Sequence, residues 1–534
     1  MRKFYLAFAG LMAFACSARS QSVYQPYSYD FYQKLNRTLY STHTREHTAL
    51  KPALVDDSVL RKPYDSLMNV GVDTSQHHSW AYRKLFNEHL IDVRDKEYTF
   101  FADYLPDLMM GKDLADHRNV HMNTRGYQLG GTIGTKFYFY TSGYENQSVF
   151  PSYEDAYINR TGIVPGQAYD RSFGKTNSKD YSYATALLSY TPIKYLNIAL
   201  GNDKTFIGDG YRSVLLSDYA SPYPFLKMTL NLGNVHYMAM WAEMVDPTAP
   251  TFSYMNGDRK KWAAFHYLDW NVNNRFSIGF FDAVIWADKD DNGVSRGFDF
   301  SYANPIIFLR PVEASNGSPD NALIGLNAKY KISDGITAYG QFALDEFQSN
   351  SFFSNPGSSR NKFAFQVGAR GADLFKVRNL NYLVEYNSVR PYTYSETNEL
   401  INYAEQNEPL AHPWGANFKE ALAILNYSYK KFDFRGQLDY GRYGLDVDST
   451  NYGKDIFKLY NKPAKENGNY IGQGLTTNLY YMEGTVSYLL NPKYNLRIEL
   501  GGLYRRESNK LGINQTKMIT IGLRSSFRNL YHDF

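Results

Sequence analysis

A single cysteine, Cys16, is present among 534 residues. One thiol can form no intrachain disulfide, so hydrogen bonding and packing must carry the fold. No run of eighteen or more apolar residues occurs, which excludes a membrane-spanning helix. Neither sign of charge is in excess: 57 Lys and Arg against 53 Asp and Glu leave a formal charge of +4. Nothing in that balance points to a nucleic-acid partner. There is no G-x-S-x-G, and the Ser, His and Asp residues are too scattered to assemble a triad. The glycine-rich stretch at 201–213 lacks the Gly-Lys-Ser/Thr ending that places a lysine on phosphates, which sets nucleotide binding aside.

What is present at the start is a leader. Arg2 and Lys3 precede an almost wholly apolar run at 4–15, followed by small and polar residues at 17–22. Charged, then apolar, then small is the order of a secretory signal peptide, assigned to 1–20 with Gln21 as the first mature residue. Cys16, preceded by Ala15, offers the competing reading of a lipidated cysteine. Removing 1–20 takes away Arg2, Lys3 and Arg19 and brings the formal charge to about +1. An exported chain of this kind is free in the periplasm, outside the cell, or a barrel in an outer membrane.

Composition favours the barrel. Aromatic residues make up 16% of the chain, with 48 Tyr and 34 Phe, yet the mean hydropathy is −0.48. Strands that alternate an apolar outward residue with a polar inward one, flanked by aromatic girdles, have this profile. A secreted β-sandwich or propeller would also alternate, and strand length separates them. At 322–344 two alternating segments flank Ser333-Asp334-Gly335. Ile324, Leu326 and Phe342 fall on one face, and Asn327, Lys329 and Gln341 on the other. Period two over about ten residues, broken by Asp-Gly, predicts a β-hairpin long enough to cross a bilayer at a tilt.

The same pattern recurs along the chain. Strands are expected at 98–110, 127–135, 136–144, 181–190, 194–201, 225–232, 235–245, 262–272, 276–286, 362–371, 379–390, 420–430, 432–443, 475–489, 495–504 and 515–531. A long polar loop is expected at 143–180 and a charged, turn-rich loop at 310–321. The fold class is therefore all-β: a transmembrane antiparallel barrel of about 18 strands at 97–534, preceded at 21–96 by a small, partly helical region that is periplasmic or plugs the barrel. Helical pieces are expected at 29–39 and 79–91. Phe534 ends the chain after an alternating strand, as suits a closing barrel strand.

Two strings suggest metal chemistry. His43-Thr44-Arg45-Glu46-His47 matches the H-x-x-E-H of inverted zinc proteases, but its flanks are rich in Thr and end in Pro, and no third ligand can be assigned. Asp288-Lys289-Asp290-Asp291-Asn292-Gly293, with Asp299 at the twelfth position, matches half an EF-hand loop. Without flanking helices it reads as a strand-connecting turn. No metal or other cofactor is expected.

Several longer strings resemble a known family. GNDKTFIGDGYRSVLLSDYASPYPFLKMTL at 201–230, and NPIIFLRPVEASNGSPDNALIGLNAKYKI with GITAYGQFALDEF at 304–347, resemble the capsule assembly protein Wzi family. ENQSVFPSYEDAYI, TGIVPGQ and the ending RNLYHDF are similar to its Bacteroidetes branch, which includes gliding motility proteins such as RemB. The resemblance implies an eighteen-stranded outer-membrane barrel with a helical N-terminal portion. It also implies a non-enzymatic role in binding and organising exported polysaccharide, in partnership with outer-membrane lipid, surface polysaccharide and export or gliding machinery. An outer-membrane porin or transport channel is the alternative, and a membrane-embedded hydrolase a third. Sugar sites pair flat aromatic faces with planar polar groups. The expected site or luminal network comprises Asp203, Lys204, Asp209 and Arg212 in one loop, with Arg310, Glu313, Asp320 and Asn321 in another.

Overall fold

The computed structural model describes residues 23–55, 58–73, 77–172, 177–249, 251–252, 257–306, 308–317, 319–347 and 357–534. The expected signal peptide and Cys16 lie outside these residues. Eighteen strands, each antiparallel to its neighbours, close into one barrel. They are β1 (Tyr98–Asp113), β2 (Asn119–Ile133), β3 (Phe137–Val149), β4 (Lys179–Ile193), β5 (Leu196–Asp203), β6 (Tyr223–Asn231), β7 (Val235–Asp246), β8 (Arg259–Asn271) and β9 (Phe276–Ala287). The second half comprises β10 (Asn321–Ser333), β11 (Ile336–Glu346), β12 (Lys362–Gly371), β13 (Leu380–Val389), β14 (Phe418–Tyr429), β15 (Phe432–Leu445), β16 (Leu475–Asn491), β17 (Leu496–Asn509) and β18 (Gly512–Arg524).

The β10–β11 hairpin shows why these sequences make a wall. Lys331 pairs with Thr337 and Ser333 with Ile336, leaving Asp334-Gly335 to turn. Ile324, Leu326 and Phe342 are exposed on the outside, whereas Asn327, Lys329 and Gln341 are buried inside. The same division holds in β15, where Phe432, Phe434, Leu438 and Tyr440 face out while Gln437 and Asp439 are buried. One face meets lipid and the other a polar interior. Short turns join the strands at one end, the periplasmic end in barrels of this type, and long excursions join them at the other.

The closing seam is made in two pieces. β18 pairs with β1 over the six positions Leu108–Asp113. Nearer the short turns, Ile91–Arg94 pairs with Thr99–Ala102. Between them sits Pro106, whose carbonyl accepts from Ser525 Oγ at 2.7 Å. In a strand the N–H and C=O of one residue point to the same side, so the missing proline donor faces the seam, where no ladder bond is made.

Among the described residues several segments fill the lumen, including the β13–β14 excursion, whose Tyr394 and Tyr403 hydroxyls donate to the Val214 and Leu215 carbonyls at 2.7 Å. The N-terminal part carries short helices α1 (Tyr29–Gln33) and α2 (Asn36–Leu39), so the helix expected at 29–39 is broken after Gln33. Next come α3 (Ser58–Leu67) and α4 (Trp80–Phe86), the latter shorter than the expected 79–91. The β5–β6 excursion dives inward, and its Phe206-Ile207 pairs with Leu50-Lys51 of the N-terminal part. Finally, the strand expected at 515–531 stops at Arg524, and the following residues fold back into the barrel. Phe534 packs among Tyr153, Tyr157 and Tyr219 instead of ending the wall.

Other boundaries shift for physical reasons. β2 starts at Asn119, not 127, because above the lipid belt the alternation inverts: His121 and Arg125 face out, while Val120 and Met122 are buried inside. The loop expected at 143–180 is largely structured, since β3 continues to Val149 and α5 (Ser152–Thr161) follows, ended by Gly162 at φ 79. The loop expected at 310–321 contains α6 (Leu309–Asn316). With residues 297–306 it lies on the outside of the wall over β7 to β10, where it covers Trp286, Val284 and Ala264.

Candidate functional site

The first predicted set, Asp203, Lys204, Asp209 and Arg212, lies in one charged interior, although their partners are other elements. Asp203, at the end of β5, accepts from the Tyr24 hydroxyl. Lys204 donates to the carbonyls of Gly166 and Asp218. Asp209 accepts from Tyr40 at 2.9 Å and from Thr48. Next to it, Lys51 donates to the Gly208 carbonyl at 2.8 Å. Arg212 is buried against three carboxylates: Asp533 at 3.0 Å, Glu420 at 3.1 Å and Asp439 at 3.7 Å.

Glycine permits this loop to approach the wall. A Cβ on Gly210 would sit 2.1 Å from Glu385 Oε2, and one on Gly208 2.5 Å from Gln341 Nε2. Glu385 Oε2 in turn accepts from the backbone N–H of Tyr211 and from the Tyr339 hydroxyl. His412 extends the network: Trp414 donates its N–H to Nδ1, and Nε2 lies 2.7 Å from Glu420. A desolvated guanidinium is stable here because carboxylates surround it and its donors are used. Chemically, this arrangement locks a loop across the lumen.

The second predicted set lies elsewhere. Arg310 and Glu313 pair at 2.6 Å on α6, outside the wall. Asp320 is buried against Arg296 at 2.6 Å and accepts from the Tyr302 hydroxyl. Asn321, the first residue of β10, points inward and donates to the Ile401 carbonyl at 2.8 Å. These four do not join the luminal four.

Neither metal string forms the geometry that motivated it. Residues 43–47 are not helical. His43 lies exposed beside Asp334, while His47 is half-buried between Asp269 and the Gly233 carbonyl. Asp290 accepts from the N–H groups of Asn292 and Val294 in a turn, and Asp299 is held by Arg296. Among the described residues no group of three or more metal-ligating side chains converges.

Sequence reasoning missed the groups that hold the long-loop end. Glu408, between β13 and β14, accepts from the N–H of Gly166 at 2.7 Å and from both the N–H and hydroxyl of Ser221. Burial pushes its carboxyl up to about 7. His532 pairs with Glu154 of α5 at 2.9 Å. Burial alone would lower the imidazole, but the Glu154 carboxylate reverses this and holds it at about 9. No spacing rule links either residue to its partners, which lie 187 to 378 positions away. At this end a 420 Å³ groove is lined by Gln167, Tyr169, Arg171, Asn202, Glu243 and Gln406, among others. Tyr169 is exposed, and Arg171 is held by Glu145 and Asp180.

No family model matches the chain, and no curated protein matches it. Among solved structures, the barrel is similar to Wzi of Escherichia coli, described as an outer membrane protein involved in group 1 capsule assembly and a carbohydrate-binding β-barrel. That likeness has a TM-score of 0.54 at 12% identity, covering 94% of this chain and 100% of Wzi. Pseudomonas aeruginosa OprD aligns with a TM-score of 0.42 at 10% identity, over 79% of this chain and 94% of OprD. The fold shared with Wzi is that of an outer-membrane-type β-barrel.

Proposed function

We propose that this chain is an outer-membrane barrel, exported by its N-terminal leader, that binds and organises surface polysaccharide and does not conduct solutes. The observation that carries this reading is the locked interior. Residues 204–222 and 525–534 cross the lumen and are tied to its wall by Arg212, Glu420, Asp439 and Asp533. A diffusion channel needs a continuous wet path, and these buried ion pairs stand across it. The carbohydrate binding of Wzi supports the choice of ligand, and the sequence resemblance extends it to the gliding-linked branch.

The groove at the long-loop end supplies the chemistry a saccharide uses. The exposed Tyr169 ring offers a flat face for a sugar's C–H side, and the half-buried Asn202 and Gln406 offer amides for hydroxyls. The test is deletion of the gene in its host. Polymer synthesis continues while the cell-retained fraction falls and the shed fraction rises; unchanged retention overturns the proposal.

A further inference from the structure

Strand parity separates the two faces of β8, β9 and β10. On the luminal face, Phe265, Phe281, Ala283, Ile285 and Leu323 pack with Leu215 of the luminal loop. Ala264, Val284, Trp286 and Ala322 alternate with these and therefore face outward, yet all are buried. What covers them is the excursion between β9 and β10: Tyr302, Leu309 and the partly buried Phe298 and Val312. The outward Trp241, Trp262 and Trp286 stand where an aromatic girdle would meet the outer interface. Here a protein flap takes the lipid's place.

The flap is bound to the wall by polar contacts as well. Trp241 Nε1 donates to the Tyr302 carbonyl at 2.8 Å and Trp286 Nε1 to that of Gly297 at 3.0 Å. The Leu309 N–H donates to Asp282 Oδ2 at 2.7 Å. Asp282 pairs with Ile324, three pairs below the uppermost β9–β10 pair, so the flap descends about 10 Å along the wall. Four of its own amides are used: Tyr302 and Ala303 close a short turn, Ser301 donates to Asp299, and Ile306 donates to Asn304. Irregular backbone can enter the membrane boundary only when satisfied in this way.

Its free side carries three large apolar side chains beside the exposed Ser301, Asn304 and Arg310. Phe300 is 84% exposed, Ile306 82% and Phe308 60%. Large apolar side chains this exposed on one short segment mark an interaction surface. The surface continues the lipid-facing wall formed by Ile324 and Leu326. We infer that residues 297–306 and 308–317 form a flap seated in the outer-leaflet interface, with Phe300, Ile306 and Phe308 inserted among lipid acyl chains. The barrel is thereby keyed to the leaflet that bears the long loops.

Site-directed nitroxide labelling tests this, aided by the lone native cysteine. In a Cys16→Ser background, Ile306→Cys and Phe308→Cys are labelled and the protein is reconstituted in phosphatidylcholine vesicles. Leu326→Cys on the wall and Tyr470→Cys on a long loop serve as references. All four positions are exposed, so the fold is kept. The flap labels collide more often with oxygen than with a water-soluble nickel chelate, as at 326. A nickel excess matching 470 overturns the proposal. So does loss of both collisions with dipolar broadening between labels, which would place a second copy on the flap.

Discussion

Arg212 of the luminal loop and Glu420 of β14 meet at 3.1 Å, 208 residues apart in sequence, with neither side chain reaching solvent. Removing one member of a buried ion pair leaves the other uncompensated and costs about 3–5 kcal/mol. Arg212→Ala therefore lowers the urea midpoint of the micelle-folded barrel by a corresponding amount. A change below about 1 kcal/mol would show that the network is dispensable.

Gly210 is held where no side chain fits. Gly210→Ala drives a methyl group into Glu385 and destabilises the barrel by about 1–3 kcal/mol, the usual cost of overpacking. Gly436→Ala is the control, because a Cβ there meets nothing within 4 Å. Equal midpoints for the two variants would contradict the close approach.

Two groups make the long-loop end sensitive to pH, and both act in the same direction. His532 has a raised folded pKa of about 9, so its contribution is complete below its unfolded value near 6.5 and is lost as pH rises through 9. Glu408, raised to about 7, binds a proton more readily when folded, so stability falls as pH rises from about 4.5 to 7. Each shift corresponds to about 3 kcal/mol at most. Amide exchange of residues 160–170 and 525–534, corrected for intrinsic rate, accelerates across these windows. His532→Gln removes the alkaline part.

Asn529 and Tyr531 both reach Asp218, and Asp533 reaches Arg212 and Gln437. Deleting 529–534 strips the luminal loop of these anchors. The intact barrel gives no sustained conductance in planar bilayers, whereas the truncated form gives fluctuating openings. Steady current from the intact protein would favour a channel.

In the groove, Tyr169→Ala and Gln406→Ala reduce polymer retention on cells without lowering the amount of folded barrel. Tyr169 is exposed and Gln406 half-buried, so a fall in the heat-modifiable folded band would reassign them to structure.

The wall was legible in the chain because alternation is enforced at every step of a strand. A one-residue slip would put Lys329 in lipid and Leu326 in the lumen. The reading failed where that constraint lapses. At His121 and Arg125 the outside is water, so the polar residues move outward and the strand looks like a loop. At Phe527 and Tyr531 the spacing still alternates, but the chain has left the wall and packs inside. The helix at 309–316 was missed because Pro311, Asn316 and Gly317 read as turn residues; Pro311 occupies its first turn and Gly317, at φ 62, its end.

The luminal residues were identifiable as a charged loop, but their partners were not. Tyr24 and Tyr40 come from the N-terminal part, Glu385 and Glu420 from two paired strands and Asp533 from the C-terminal tail, and no spacing rule connects them to 203–212. Glu420 sits in a strand where polar and apolar positions alternate as everywhere else. Only closure of the barrel shows that it faces Arg212.

The two-piece seam has a consequence for how the barrel forms. The lower edge of β1 is already occupied by Ile91–Arg94, a pairing local in sequence that closes quickly and at little entropic cost. Pro106 then interrupts the edge, so pairing cannot run on past it. What stays open for β18 is a single six-residue berth at Leu108–Asp113. A β18 strand arriving some four hundred residues later finds one register on offer, and a stray strand from another molecule finds no long bare edge to join.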